Sequence, residues 1–329
     1  VTSRLKILGR MNVAEKRRPQ DGRLKTKSPK GNEVELRLST MPTAFGEKMV
    51  MRIFDPDVLL KTFGELGFDD EDQSRWQEMI QQKNGIILIT GPTGSGKTTT
   101  LYSSLKTLAT KEVNVCTIED PIEMVESSFN QMQVQENISL NFADGVKALL
   151  RQDPDIIMLG EIRDLETAGI ALRAAQTGHL VLTTLHTLSA AASLNRLKSM
   201  GIPNYNLANT ITLIIAQRLA RKLCDYCKET VEISEKVLIE QGFTGESLES
   251  KAFYKAKCCN HCNDGYQGRI GIFEVVPISE RISRIIMSGR NSTRLSKHMM
   301  KQGLLNLRQF ALLKVAQGLI SLEEANRLT

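Results

Sequence analysis

Short apolar runs separated by amphipathic segments dominate the middle of the chain. The runs are rich in aliphatic and β-branched residues, which predicts buried strands. These strands are predicted at Ile86–Thr90, Val113–Ile118, Ile156–Leu159 and Leu180–Leu185. A period near 3.6 residues between them predicts helices over 99–109, 142–152 and 166–177. Alternating strands and helices predict an α/β fold built on a parallel sheet.

The flanking segments have different patterns. Strict alternation over Val34–Ser39 and an apolar run over Met49–Phe54 predict two paired strands, while Pro19–Gly22 predicts a turn. Residues 208–223 predict a buried helix with a basic end, and residues after 277 predict further helices. The predicted domains are part of an α+β domain (1–56), a linker (57–72), an α/β core (73–223), a cysteine-bearing subdomain (224–273) and a C-terminal helical subdomain (274–329).

Composition is that of a globular protein of two or three domains. The 329 residues are 41% hydrophobic and 24% charged, and none of the apolar runs approaches the ~18 residues of a membrane span. Val1–Arg10 lacks the long apolar core of a signal peptide. Because the chain begins with Val, we also expect it to be an N-terminally truncated fragment.

Positive charge is concentrated at the start of the chain. Residues 1–30 hold ten Lys or Arg against two acidic residues, whereas the rest is close to neutral. This segment is either an ordinary solvated surface or a contact for acidic lipid or nucleic acid. Only 5% of residues are aromatic, which counts against nucleic-acid binding by base stacking.

A glycine-rich loop directly follows the first predicted core strand. The sequence from Gly91 to Thr98 is GPTGSGKT, a G-x-x-x-x-G-K-T loop between a strand and a helix. Such a loop binds nucleotide phosphates with its backbone N–H groups, while Lys97 reaches the β- and γ-phosphates and Thr98 binds Mg²⁺. The predicted nucleotide-binding residues are Gly91, Pro92, Thr93, Gly94, Ser95, Gly96, Lys97, Thr98 and Thr99.

Polar residues also follow the other core strands. Glu119 follows the second predicted strand, Glu161 follows the third and His186 follows the fourth. Ligands of open α/β sheets bind at the carboxyl ends of strands, so these residues predict one active site. Gly160 stands where many P-loop enzymes have an Asp, so Glu161 is predicted to orient the attacking water, with Glu119 as a second candidate. The sequence leaves open which carboxylate is the base.

Five of the six cysteines lie within 39 residues. Cys224 and Cys227 form one Cys-x-x-Cys pair, and Cys259 and Cys262 form another, which predicts a structural Zn²⁺ site with four thiolate ligands. The alternative is a redox dithiol pair or free thiols, and His261 is a weaker alternative ligand. Cys258 is left out of the predicted set.

Several motifs together resemble a known family. GPTGSGKTTTLY, TIEDPIE, RQDPDIIMLGEIRDLETA and TGHLVLTTLHT are similar, in order and spacing, to the Walker A loop, Asp box, atypical Walker B motif and His box of the secretion ATPases of type II secretion and type IV pilus systems. AEKRRPQDGR and LRLSTMPTAFGEKMVMRIF resemble the family's second N-terminal domain. CNHCNDGYQGRIGIFEV resembles its zinc-bearing subdomain.

The resemblance implies a RecA-like P-loop NTPase core and a cytoplasmic homohexameric motor, peripheral at the inner membrane. Such motors use ATP and Mg²⁺ to assemble pilin-like fibres with an inner-membrane platform protein and other membrane assembly proteins. The resemblance also implies that His186 and His179 act as phosphate or interface sensors. Retraction motors of this class lack the paired Cys-x-x-Cys motif, so its presence favours assembly or secretion.

Two arginines outside the core are further candidates. Phosphoryl transfer gains from an Arg supplied by another domain or subunit. Arg37 and Arg52 lie at comparable positions on the two paired strands, and we expect them to reach nucleotide phosphates within or between subunits; the alternative is two ordinary exposed arginines.

The sequence therefore predicts an ATP-hydrolysing motor that powers pilus assembly or type II secretion, with acidic phospholipid as a possible partner. The alternative is a nucleic-acid translocase or binder with a RecA-like core. A third interpretation is a nucleotide-gated scaffold with very slow turnover.

Overall fold

A computed structural model describes residues 1–27, 31, 33–54, 61–243, 252–289 and 292–329. The chain divides into two compact units. The first contains Val1–Lys61 together with Glu123–Val125, and the second contains Thr62–Ile122 and Glu126–Thr329.

The first unit is built on a three-stranded antiparallel sheet. Helix α1 (Thr2–Leu8) precedes strands β1 (Gln20–Lys27), β2 (Glu33–Thr43) and β3 (Gly46–Phe54), with β2 in the centre. Both predicted strands are confirmed. The turn predicted over Pro19–Gly22 is wrong, because β1 begins at Gln20 and alternates half-buried with exposed residues against β2.

The second unit contains a seven-stranded sheet. Its strand order is β12-β9-β4-β8-β7-β5-β6. The strands are β4 (Gly85–Thr90), β5 (Val115–Glu119), β6 (Asn130–Gln133), β7 (Ile156–Leu159), β8 (Leu180–Leu185), β9 (Ile211–Leu223) and β12 (Tyr266–Pro277). A separate antiparallel pair consists of β10 (Glu229–Val231) and β11 (Phe253–Lys255).

Helices connect and cover these strands. The connections before β9 contain α2 (Phe63–Leu66), α3 (Asp70–Ile80), α4 (Lys97–Leu108), α5 (Phe142–Leu149), α6 (Leu165–Gln176), α7 (Ala190–Ser199) and α8 (Asn204–Thr210). The later helices are α9 (Glu235–Gln241), α10 (Glu280–Met287), α11 (Ser292–Lys301), α12 (Leu307–Ala316) and α13 (Leu322–Leu328).

The predicted α/β fold is confirmed. Strands β4, β8, β7, β5 and β6 pair in parallel, β9 is parallel to β4, and β12 alone of the seven is antiparallel to its neighbour. Every residue of β4, β5, β7 and β8 is buried, as expected for a parallel sheet covered on both faces.

The helix predicted over 208–223 is wrong. Helix α8 ends at Thr210, and Ile211–Leu223 form β9, which pairs with β4 on one side and β12 on the other. Nine of the thirteen residues of β9 are buried, and they lie on both faces of the strand, a pattern that buried helices and central strands share.

Two of the predicted domain boundaries, after residues 72 and 273, fall inside regular elements of the second unit. Residues 57–60 of the predicted linker lie outside the described residues, but from Thr62 onward the chain belongs to the second unit. Phe68 stacks on Phe273 with ring centroids 3.9 Å apart, and Trp76 is fully buried beside it. The predicted cysteine-bearing segment 224–273 overlaps β12, which belongs to the large sheet.

Among the described residues, every helix is too short or too polar to cross a lipid bilayer.

Candidate nucleotide-binding site and four-cysteine cluster

The predicted phosphate loop connects β4 to α4. Gly96 has φ +90° and directly precedes the first helical residue, Lys97. A Cβ atom at Gly91 would lie 2.4 Å from Ser95 Oγ and 2.5 Å from the Gln217 carbonyl oxygen. Both positions therefore require glycine. The remaining predicted residues occupy the loop and first turn of α4: Pro92, Thr93, Gly94, Ser95, Thr98 and Thr99.

Lys97 folds back over the loop. Its Nζ donates to the carbonyl oxygens of Gly91 at 2.9 Å and Pro92 at 3.2 Å. Burial lowers the pKa of Lys97; the negative charge of Glu161 opposes this shift, and the positive charge of Arg218 adds to it. The ammonium group thus lies within electrostatic range of Glu161 while it closes the phosphate loop.

Glu161 and His186 follow the neighbouring strands β7 and β8, and their side chains are in contact. His186 Nε2 lies 3.0 Å from Glu161 Oε2. Arg163 Nε donates to Glu161 Oε1 at 2.6 Å, and Arg163 also lies 3.3 Å from Asp120 Oδ2. Both carboxylate oxygens of Glu161 therefore have a partner, and Arg163 connects the segments that follow β5 and β7.

Glu119 is more enclosed than Glu161. The Tyr102 hydroxyl donates to Glu119 Oε2 at 2.7 Å, while Thr117 Oγ1 and Gln131 Nε2 donate to Oε1 at 2.7 Å and 3.2 Å. The residue is 4% exposed. These contacts fix the carboxylate at the end of β5, and the predicted catalytic role of Glu119 stays a prediction.

His179 lies at the opposite end of β8 from His186. Its Nδ1 is 2.9 Å from the Ala174 carbonyl oxygen in the last turn of α6. This contact stabilises the end of the helix. The phosphate loop lies at the carboxyl end of β4, on the opposite edge of the sheet from His179. A sensor role for His179 therefore stays a prediction.

Two residues behind the phosphate loop were missed by sequence reasoning. Gln217 Nε2 donates to the Ser95 carbonyl oxygen at 2.7 Å, and Gln217 Oε1 accepts from Thr100 Oγ1 at 3.0 Å. The next residue, Arg218, donates to the Gln217 carbonyl oxygen at 2.9 Å and the Leu188 carbonyl oxygen at 2.8 Å. Both residues lie on β9. Because this segment was predicted to be a helix, their positions on opposite faces of a strand could not be recognised from the sequence.

Arg37 and Arg52 lie in the first unit. They are direct cross-strand partners on β2 and β3, as their comparable positions suggested. Arg37 forms an ion pair with Glu123, with 3.0 Å between Nη1 and Oε2. Their predicted contact with nucleotide stays a prediction.

The four cysteines chosen from the sequence come together. The Sγ atoms of Cys224, Cys227, Cys259 and Cys262 all lie within 4.8 Å of one another. Three separations are 3.9, 3.7 and 3.6 Å, close to the roughly 3.8 Å that tetrahedral Zn²⁺ with Zn–S near ~2.3 Å requires.

The alternative ligand, His261, and the cysteine left out of the predicted set, Cys258, both lie outside this cluster. Cys258 is exposed, and the His261 ring packs against Tyr226 with centroids 4.9 Å apart. The donor set therefore fits a structural zinc site without either residue.

Comparison with known proteins gives a consistent result. A family model described as type II/IV secretion system protein matches residues 1–327. The whole chain is 56% identical to the type IV pilus assembly ATPase TfpB of Acinetobacter baylyi and covers 56% of it. It is 41% identical over its whole length to the type II secretion system ATPase E of Vibrio cholerae and covers 65% of it. The chain thus spans little more than half of the first relative and about two thirds of the second.

A solved structure agrees with the fold. The crystal structure of the pilus retraction motor PilT with bound ADP is similar with a TM-score of 0.70 and 28% identity, over 95% of this chain and 78% of that one.

Proposed function

This chain belongs to the type II/IV secretion system protein family, and from that premise we propose that it binds and hydrolyses ATP to power assembly of a pilus or a type II secretion apparatus. The main support for the proposal is that a complete phosphate loop, His186 and Glu161 follow three adjacent strands of one sheet, with His186 and Glu161 in contact.

Each residue of this site has a distinct task. The N–H groups of the loop and the first turn of α4 bind the phosphates. Lys97 exchanges the carbonyl oxygens of Gly91 and Pro92 for β- and γ-phosphate oxygens. Thr98 would hold Mg²⁺, which neutralises charge developing on the phosphates. Glu161, held by His186 and Arg163, orients the attacking water.

The motor function rests on the names of the relatives, a pilus assembly ATPase and a secretion ATPase. We infer a cytoplasmic homohexamer, peripheral at the inner membrane, that acts on a membrane platform protein. The basic residues of the first unit, including Arg17 with a 90% exposed side chain, suit contact with acidic phospholipid.

We further propose that the four-cysteine cluster binds one structural Zn²⁺. Its four thiolates would fill every coordination position, so the metal would stabilise the fold around the cluster rather than take part in hydrolysis. The cluster would present the exposed Tyr226, which is 74% exposed, as part of a docking surface for the membrane partner.

Steady-state ATPase assays with parallel nucleotide-binding titrations test the proposed activity. Lys97→Ala should reduce turnover by about 100-fold or more, because it removes the charge that faces the transferred phosphate. Glu161→Gln should bind nucleotide normally but lose turnover to a similar extent. Lys106→Ala and Glu166→Gln are matched controls, since both residues are exposed and form ion pairs with Glu126 and Lys147.

Two outcomes would contradict the proposal. Near-normal turnover of Glu161→Gln would exclude its assigned role. Stimulation by DNA or RNA, with no stimulation by acidic phospholipid vesicles, would favour the nucleic-acid translocase instead.

A further inference from the structure

Arg218 is a buried cation held by backbone carbonyl oxygens. The residue is 9% exposed, and its two terminal nitrogens donate to backbone carbonyl oxygens of Gln217 and Leu188. Among the described residues, its guanidinium has no carboxylate within 4.0 Å. Burying a charge in this way is costly unless the surrounding polar groups compensate it.

Glu274 compensates part of the Arg218 charge from a distance. Arg218 and Glu274 lie on the same face of the β9–β12 pair, since Arg218 is opposite Ile272, two residues from Glu274. Glu274 is 6% exposed and accepts from the Ala190 N–H at 3.1 Å. Burial lowers the pKa of Arg218, and the Glu274 charge offsets part of that shift. The guanidinium is therefore positioned by carbonyl groups rather than by an ion pair.

One of these carbonyls belongs to the segment that carries His186. Leu188 follows His186 by two residues, in the connection between β8 and α7. The same connection is held at Thr187, whose N–H donates to Thr90 Oγ1 at 3.0 Å and whose hydroxyl lies 2.6 Å from that atom. Thr90 and Arg218 thus both hold this connection, in addition to the contact between His186 and Glu161.

The other carbonyl lies directly behind the phosphate loop. The Gln217 carbonyl oxygen is close enough to Gly91 to exclude a Cβ there, and the Gln217 side chain binds Ser95. Arg218 therefore joins the backbone that supports the phosphate loop to the backbone that carries His186. The positive charge of the Arg218 guanidinium also lowers the pKa of Lys97.

We propose that Arg218 is a positioning residue for ATP hydrolysis, which fixes the 186–189 connection against the phosphate loop so that His186 keeps the Glu161 carboxylate aimed at the attacking water. This inference rests on the proposed ATPase activity. Arg218 acts through His186, because its contacts are to Leu188 and Gln217.

The test replaces Arg218 with Met and, separately, with Lys. Met is similar in length but carries no charge. It removes the donor to the Gln217 and Leu188 carbonyl oxygens and the charge that faces Glu274, so the stability of this variant is measured beside its kinetics. We expect Arg218→Met to lower kcat about tenfold, with KM and the affinity for a non-hydrolysable ATP analogue changed less than about threefold. Arg218→Lys keeps the charge but not the planar fork that reaches two carbonyls, so it should restore kcat only in part.

A double-mutant cycle separates positioning from a general structural role. In a His186→Ala background, Arg218→Met should lower kcat by less than about twofold, because the two residues act through one element. Arg221→Met is the matched control: Arg221 lies on the same strand but pairs with Glu324, so it should leave kcat unchanged. Thermal unfolding of each variant checks the fold.

The possible results are distinguishable. An active wild-type protein with unchanged kcat in Arg218→Met would overturn the inference. A full tenfold loss in the His186→Ala background, or an equal loss of nucleotide affinity, would also overturn it, because Arg218 would then act elsewhere. If Arg218→Met does not fold, full kcat in Arg218→Lys overturns the inference and a partial loss supports it. An inactive wild-type protein would contradict the proposed function itself.

Discussion

At the scale of single residues, two adjacent cysteines have opposite environments. Cys259 lies in the four-cysteine cluster, whereas Cys258 is exposed and outside it. We expect purified protein to hold about one zinc per chain. Cys259→Ser should lower this content and destabilise the fold, because metal binding and folding are coupled. Cys258→Ser should change neither.

Metal analysis by mass spectrometry, combined with thermal unfolding, measures both effects. Cys116→Ser is a second control, since Cys116 lies within the hydrophobic core of the large sheet. An equal loss of zinc from Cys258→Ser and Cys259→Ser would refute the ligand set. Normal folding of metal-free protein would refute a structural role for the metal.

The sequence predicted the residues that follow strands better than the residues inside them. Lys97, Glu161 and His186 could be found because each comes at or after the end of a recognisable apolar run. Gln217 and Arg218 carry no such signal, since their contacts to Ser95 and Leu188 span 122 and 30 residues. Their roles depend on strand pairing, which is absent from local sequence.

At the scale of elements, two helical glycines differ in what surrounds them. Gly145 lies on α5, where a Cβ atom would be 1.7 Å from Ile118 Cδ1 on β5. Gly145→Ala should therefore push α5 away from the sheet and destabilise the protein by about 1–3 kcal/mol. Gly169 lies on α6 with open space around it, so Gly169→Ala should stabilise the protein by up to about 1 kcal/mol through helix propensity.

The midpoints of thermal unfolding of the two variants, compared with wild type, measure this difference. Both variants add one methyl group to a helix of the same domain, so each is the control for the other. Equal shifts would show that α5 is not closely packed on β5.

Element type was hardest to predict where burial is complete. Ile211–Leu223 lack a regular alternation of buried and exposed residues, because buried side chains lie on both faces of β9. Partners remote in sequence decide between helix and strand: Ile214 lies opposite Leu88 on β4 and Val276 on β12. The shorter runs, such as Ile156–Leu159, were predictable because they are too short for a helix.

At the scale of the whole molecule, the role of Arg37 and Arg52 can be tested without knowing the assembly. If either arginine reaches the γ-phosphate, its replacement by Ala should reduce turnover by about 1,000-fold or more. Arg17→Ala is the control, because Arg17 is an exposed arginine of the same unit. Unchanged turnover in both Arg37→Ala and Arg52→Ala would show that they are ordinary surface residues.

Mixed assemblies show which subunit supplies the arginine. When Arg52→Ala and Lys97→Ala proteins are combined, an arginine that acts between subunits should restore part of the activity, since some sites then contain both intact groups. An arginine that acts within its own subunit should give no restoration.

Strand β9 also has a mechanical consequence. Cys224 directly follows Leu223, the last residue of β9, and Gln217 lies seven residues before Cys224. At ~3.4 Å per residue this segment is about 24 Å long, and an extended chain paired with β12 can hardly lengthen further. A force that moves the four-cysteine cluster along the strand axis would therefore displace Gln217, behind the phosphate loop, because β9 cannot lengthen to absorb the movement. Strand β9 thus couples the positions of the two sites.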